Sequence, residues 1–370
     1  MGRRATSFGS SSRLCTPRKS ERPRVLLPLV SRWLVPIAAV CCLLQASQAR
    51  ADHGKIDTVV LDNGNTFTCE LLNLKRGKAS AKIDGLGTVS IEWEHVRRVT
   101  SPAVFEIELA SGRFLLGSLS SPADGRVLVH STARDEAVDL IEVVRLAAIE
   151  AGFWNRLDGS MDFGFSFSQA DSLTQWSFNS TIERRTPRYL NRITLSSQET
   201  IDVDENRQSR NNGTYQVQRF LGNRWFVSPA IQFSQNEQLG LNFRSVASGA
   251  LGRYLLQSNK TIFTLLGGVT YTAEHFSGED ATNRSEAVGG VRWDFFTFGD
   301  HESDIVTALQ AYENLGGEAR TRLEATVTFR QKFYKDFYWS ANVYEAFDSN
   351  PPDAQKKNDS SVAITLGWTF

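Results

Sequence analysis

The chain has 370 residues, enough for two or three domains of ordinary size, and its 41% hydrophobic and 22% charged composition is that of a folded protein. Its 41 basic and 41 acidic residues cancel to a formal net charge of zero. That balance removes the basic excess which nucleic acid would require, so nucleic acid is not an expected partner.

The first fifty residues differ from the rest. Arg3, Arg4, Arg13, Arg18, Lys19, Arg22, Arg24 and Arg32 precede an apolar run from Trp33 to Leu44 that only Pro36 interrupts. Small residues Ala46, Ser47, Ala49 and Ala51 follow. A basic segment, an apolar segment of about a dozen residues and a small-residue site together predict a secretory signal over residues 1–51, cut between Ala49 and Ala51. A bilayer-spanning helix needs about 20 apolar residues, and this run is shorter, although a retained anchor is the alternative. Val40 and Cys41 stand before Cys41 and Cys42 where a lipidation site would carry a small residue. After cleavage Cys69 would be the sole cysteine, unable to form an internal disulfide and without a second ligand at metal-binding spacing. Its ordinary role is that of a small buried apolar side chain in a strand.

Residues 55–150 carry an internal repeat. Leu61 and Gly64 recur as Leu109 and Gly112 at an offset of 48, Leu71 matches Leu119, and Val96-Arg97 matches Val144-Arg145 at the same offset. Asn63-Gly64 and Ser111-Gly112 read as tight turns between short strands. The expectation is a tandem-repeat β domain of two small barrels or open rolls, similar in turn spacing to SH3-like or Sm-like barrels, on the periplasmic side. Leu140 to Ala151 also fits a short helical linker, and periodicity alone does not separate the two.

From residue 155 to 370 the chain reads as strand after strand. Leu157, Gly159, Met161, Phe163, Phe165 and Phe167 alternate with Asp158, Ser160, Asp162, Gly164, Ser166 and Ser168. The last eleven residues do the same, with Val362, Ile364, Leu366, Trp368 and Phe370 alternating with Ser361, Ala363, Thr365, Gly367 and Thr369. Successive side chains of a strand point to opposite faces, so each such segment has one greasy and one wet face. Twelve segments follow this rule, at 157–169, 173–184, 189–201, 209–220, 223–235, 243–256, 260–274, 285–297, 303–313, 320–333, 336–348 and 359–370. The fold class expected is therefore all-β: a transmembrane antiparallel β-barrel of about 12 strands behind the tandem-repeat domain.

The connections support that reading independently. Turns near Thr186-Pro187-Arg188, Gly222-Asn223, Ser258-Asn259, Gly299-Asp300 and Tyr334-Lys335 are short, while 202–208, 235–242, 275–283 and 348–358 are longer and polar. Short periplasmic turns and longer outer loops are the mark of outer-membrane barrels. Trp225, Phe298, Phe333, Phe337 and Trp368 lie near strand ends, where interfacial girdles are expected. A soluble β-sandwich also alternates, but the aromatic load of 23 Phe, 8 Trp and 8 Tyr and the export signal weigh against it.

The export signal, the repeat-bearing β domain and a barrel closing on Leu366-Gly367-Trp368-Thr369-Phe370 resemble the family of salt-induced outer-membrane proteins, domain-of-unknown-function family 481, over residues 150–370. The resemblance implies an outer-membrane location in a Gram-negative envelope and supplies no substrate. It also implies that Phe370, with Trp368 and Leu366, is the signal read by the barrel assembly machinery.

Little chemistry is visible. The five histidines His53, His95, His130, His275 and His301 form no motif of catalytic spacing, and no cofactor or metal site is read. Glu274-His275 beside Glu279 and Asp280 is the best enzyme candidate, and a solvated loop histidine its ordinary explanation. The expected lumen-lining residues are Asp162, Glu183, Arg292, Asp294, Arg322, Glu324, Arg330 and Lys332, because Arg or Lys facing lipid at the bilayer midplane costs about 2 to 4 kcal/mol. Mixed charges either line a narrow pore for small solutes or ions, or pair across the interior and close it. The expected function is thus an integral outer-membrane barrel, porin-like or non-conducting and partner-binding, with a barrel-borne hydrolase third. Its expected partners are outer-membrane lipid, the assembly machinery during biogenesis and an envelope partner for residues 55–150.

Overall fold

The computed structural model describes residue 2 and residues 55–369, apart from 133, 150–156, 169–172, 203–206, 238–239, 279–280, 299–301, 318 and 351–356. The expected signal segment and its cleavage site, Phe370, the Gly299-Asp300 turn and His301 lie outside the described residues. Among the described residues no helix is long and apolar enough to cross a membrane, which says nothing of strands.

The first nine strands are β1 (Asp57–Leu61), β2 (Thr66–Lys75), β3 (Lys78–Ile83), β4 (Gly87–Glu92), β5 (Val96–Leu109), β6 (Phe114–Ala123), β7 (Arg126–His130), β8 (Glu136–Asp139) and β9 (Val143–Ala148). They make one sheet in the order β4-β3-β2-β1-β5-β6-β7-β8, with β9 folded back to pair with β2 and β5. A single core holds them: Val59, Cys69 and Leu71 from the first copy pack in one cluster with Phe105, Val129 and Leu146 from the second. The expectation of two small barrels or open rolls in tandem is therefore corrected to one sheet with one core. The reason lies in β5, whose fourteen residues run without a turn; its first part pairs with β1 and its last part with β6 and β9, so both copies share it.

The repeat itself is written in the backbone. Gly64 and Gly112 turn at φ +83° and +79°, a left-handed conformation that costs glycine little, which is why glycine recurs there. The Asp62 amide donates to the His95 carbonyl, as the Ala110 amide does to that of Glu142. The Trp93 amide donates to the Gly77 carbonyl, as the Leu140 amide does to that of Gly125. The donors and acceptors before the 3-10 turns Trp93–His95 and Leu140–Glu142 keep the 48-residue offset, and the turns themselves shift it to 47. Val96 thus corresponds to Val143, one residue from the match that sequence spacing selects. After the turn the chain enters β9, so the helical alternative for this segment gives way to a strand.

The remaining strands are β10 (Leu157–Ser168), β11 (Leu173–Arg185), β12 (Tyr189–Ile201), β13 (Arg207–Phe220), β14 (Trp225–Asn236), β15 (Leu241–Gln257), β16 (Thr261–Phe276), β17 (Thr282–Thr297), β18 (Ser303–Asn314), β19 (Thr321–Tyr334), β20 (Phe337–Asp348) and β21 (Asn358–Thr369). Each pairs antiparallel with the next, and β21 returns to β10 to close the barrel. The twelve expected segments are these strands, shifted at their ends by a few residues. The largest difference is at 235–242 and 275–283, where β15, β16 and β17 run on into the expected loops. Opposed charges keep these extensions paired, with Arg244 and Arg284 both on Glu274.

Each of the twelve strands turns a large apolar side chain outward: Phe163, Trp176, Ile193, Tyr215, Ile231 and Leu251, then Val269, Trp293, Leu309, Val327, Val343 and Ile364 around the remaining half. An apolar belt that encircles the protein is far beyond the isolated patches a soluble surface carries, and it matches what hydrocarbon demands.

Candidate functional site

Alternation along the strands sends the polar set inward. Asp162 pairs in register with Asn179, Arg292 with Thr264, Glu324 with Gln310 and Arg330 with Ser340, each opposite a polar or small residue on the lumen side. All eight expected lumen residues lie on this inner register. They do not stand free. Glu183 accepts from Arg192 at 2.6 Å, and Arg292 grips Asp294 on its own strand at 2.6 and 2.8 Å. Arg322 makes a two-pronged contact with Glu286 at 2.9 and 3.0 Å, reaches Glu324 at 3.3 Å and lies over the Tyr312 ring. Arg330 lies over the Tyr338 ring and approaches Asp162 at 3.9 Å, and Lys332 approaches Glu302 at 3.4 Å.

Three central members of this network were not among the expected lumen residues. Glu286 and Glu274 are almost completely buried between arginines, and Tyr338, with no exposure at all, donates its hydroxyl to Asp162 at 2.7 Å. Glu286 and Tyr338 were visible as inward positions of their alternating segments, but their partners lie on other strands and spacing does not reveal them. Glu274 and His275 are neighbours on β16, so they point to opposite faces: Glu274 is buried in the lumen and His275 is exposed outside. They cannot act on one substrate together, and Glu279 and Asp280 lie outside the described residues. Leu366 and Trp368 face outward on β21, opposite Trp339 and Phe337.

The end of the barrel that carries the short turns is covered by the N-terminal sheet. Glu108 is 4% exposed and accepts from Arg185 at 2.6 Å and from Gln257 at 2.7 Å. Lys75 pairs with Asp158 at 2.8 Å, Lys78 with Glu302 at 2.7 Å, Arg76 with Asp304 at 2.9 Å and Lys260 with Glu94 at 2.7 Å. Asn259 donates to the Val143 carbonyl at 3.0 Å. Gly77, at φ +71°, lies against the Phe298 ring, where a Cβ would collide. Phe298 is therefore part of this contact, and not of an interfacial girdle as its position near a strand end suggested. Trp225, Phe333 and Phe337 are exposed at the same end, as a girdle requires.

A concavity of about 440 Å³ lies on the N-terminal sheet beside Phe67, Leu86 and His95. His95 Nδ1 is 2.7 Å from Asp62, and that hydrogen bond raises the imidazole above its ordinary pKa while lowering the Asp62 carboxyl. Glu92, Glu94 and His95 bring ligand atoms close together, but the group is solvent-facing and Glu94 is engaged by Lys260.

The family model described as "Protein of unknown function, DUF481" matches residues 161–370. No curated protein matches the sequence. Among solved structures, the chain is similar to a bacterial polysaccharide outer membrane secretin (10% identity, TM-score 0.33, covering 58% of this chain and 97% of that one). It is also similar to the translocator domain of the autotransporter NalP from Neisseria meningitidis (13%, TM-score 0.35, 57% and 87%) and to the β domain of the Bordetella autotransporter BrkA (9%, TM-score 0.31, 58% and 97%).

Proposed function

The chain belongs to the DUF481 family of proteins of unknown function, and from that premise we propose that it is an outer-membrane β-barrel of a Gram-negative envelope, closed along its axis at rest by its own N-terminal sheet. The apolar belt on all twelve strands supports the bilayer, and the short turns at the covered end favour placing that end, and residues 55–150, in the periplasm. The observation that carries the closed state is the set of contacts from the sheet to successive turns around one mouth, centred on Glu108 with Arg185 and Gln257. The paired lumen charges act in the same direction, since a carboxylate already held by arginine offers little to a passing ion. Wild-type protein in planar bilayers is expected to stay silent across salts and voltages, while Glu108→Ala combined with Lys78→Ala produces conductance steps. Steady conductance from the wild type would contradict the closed state.

The polar lumen wall favours one further reading, a narrow path for small solutes that opens when the N-terminal sheet moves aside. Under it, Arg330→Ala alters the conductance of the opened variant. During biogenesis Leu366, Trp368 and Phe370 serve as the assembly signal, so removal of the terminal aromatic lowers the folded yield. An envelope partner for residues 55–150 would dock on the face of the sheet away from the barrel.

A further inference from the structure

The barrel wall is uneven around its circumference. β10 pairs with β11 along twelve residues, from Leu157↔Arg184 to Ser168↔Leu173. Across the closing seam, β10 pairs with β21 only from Ser160↔Thr369 to Phe163↔Leu366 among the described residues. Beyond that point Gly164 and Phe165 keep their partners on β11, and Val362 to Thr365 keep theirs on β20, without pairing to one another.

A cavity of about 440 Å³ opens where the pairing stops, a volume in the range of ligand sites. Its walls come from both sides of the barrel: Phe165, Ile364 and Leu366 belong to the lipid-facing register, whereas Gly164, Ser177 and Thr365 belong to the lumen-facing one. The cavity therefore reaches inward from the lipid-facing surface to the lumen-facing register, where the Thr365 methyl lies close to Gly164. Below it the seam is knotted shut, because Asp162 accepts from the Tyr338 hydroxyl at 2.7 Å and from Thr365 at 3.4 Å, and Thr365 bonds Ser340 at 2.7 Å. One jamb is stiffened by the Phe165–Trp176 ring pair at 4.5 Å, and Glu199, which holds Arg207 at 3.4 Å, supplies a polar group at the outer rim.

Backbone amides and carbonyls without strand partners cost several kcal/mol each in hydrocarbon, so this seam is the least stable stretch of the wall and the place where lipid can part it. At this depth acyl chains are the solvent and the outer rim is aromatic and aliphatic, while on the inner rim Ser177 carries a hydroxyl and that of Thr365 is held by Asp162 and Ser340. We propose that the gap between β10 and β21 is a lateral binding site through which an acyl chain of a membrane phospholipid enters the barrel wall. The proposal rests on the membrane reading above, and the cavity, not the capped axis, is then the barrel's point of access.

The test uses full-length protein reconstituted in dimyristoyl-phosphatidylcholine vesicles, with a photoreactive benzophenone amino acid at Ser177, Thr365, Ala308 or Leu309, each variant first shown to fold by heat-modifiable migration. Leu309 faces outward on β18, and Ala308 faces the lumen far from the seam. Phospholipid adducts at Leu309 and at the lumen-facing Ser177 or Thr365, with none at Ala308, are expected. Adduct at Leu309 alone overturns the lateral site and leaves the membrane reading standing; no adduct anywhere overturns both. Equal labelling of Ala308, or a peptide adduct at Ser177, also overturns the proposal. Should both seam variants fail to fold, wild-type protein titrated with chain-end spin-labelled stearate decides it: a saturable immobilised component lost on Phe165→Glu is expected, and its absence in the wild type overturns the site.

Discussion

Tyr338 dictates that residue 367 be glycine. The ring lies flat across β21, and a Cβ at position 367 would fall inside it. Its hydroxyl meanwhile bonds Asp162 on the far side of the seam, so one side chain ties the last two strands to the first. Gly367→Val is expected to destabilise by about 1–3 kcal/mol, the usual penalty of overpacking. Tyr338→Ala in the same chain removes the clash, so the two substitutions together cost less than the sum of each alone when folded fraction is read by heat-modifiable migration. Cys69 supplies a prediction of another kind. Burial pushes its thiol up to about 11, from an ordinary 9.0. The folded state then holds a proton that the unfolded chain has released, so stability falls as pH rises from 9.0 towards 11, and thiol reagents at neutral pH label Cys69 only on unfolding. His95 runs in the opposite sense: its pKa is raised by Asp62, so the contact stabilises below the ordinary histidine range and is lost as pH climbs through the raised value. An NMR titration should find the His95 midpoint above that range and Asp62→Asn should return it.

At the scale of elements, alternation made the barrel strands legible. Leu323, Val327 and Phe329 against Arg322, Glu324 and Arg330 is a pattern that only a two-faced strand explains, and the lumen residues followed from it. The domain before the barrel was less legible. The offset of 48 found the repeat, yet nothing in residues 96–109 announces that a single strand serves both copies, because sharing is decided by which edges find partners and not by local propensity. The pairing of Tyr338 with Asp162, 176 residues apart, is of the same kind. So is Glu108, whose strand reads as ordinary and whose carboxylate is spent on Arg185 and Gln257. Glu108→Ala strands the buried Arg185 guanidinium without its counter-charge, a loss of about 3–5 kcal/mol where a buried pair is broken from one side. The measurable result is earlier proteolysis of residues 55–150 while the barrel keeps its resistance.

For the whole molecule, the two halves bury their apolar surface in different ways. The N-terminal sheet hides Val59, Leu71, Phe105 and Ile107 in a core of its own, as a protein in water must. The barrel inverts that order, with Glu286 at 1% exposure inside and Ile364 at 70% outside. Such an inversion is stable only where the surroundings are hydrocarbon, and closure of twelve strands leaves just one edge pair, β10 with β21, to be managed. The most direct test is the fate of the full-length protein expressed in a Gram-negative cell. Recovery from the outer-membrane fraction, needing detergent and migrating differently before and after boiling, is the expected result. Recovery as a soluble periplasmic monomer with no need of detergent would contradict it.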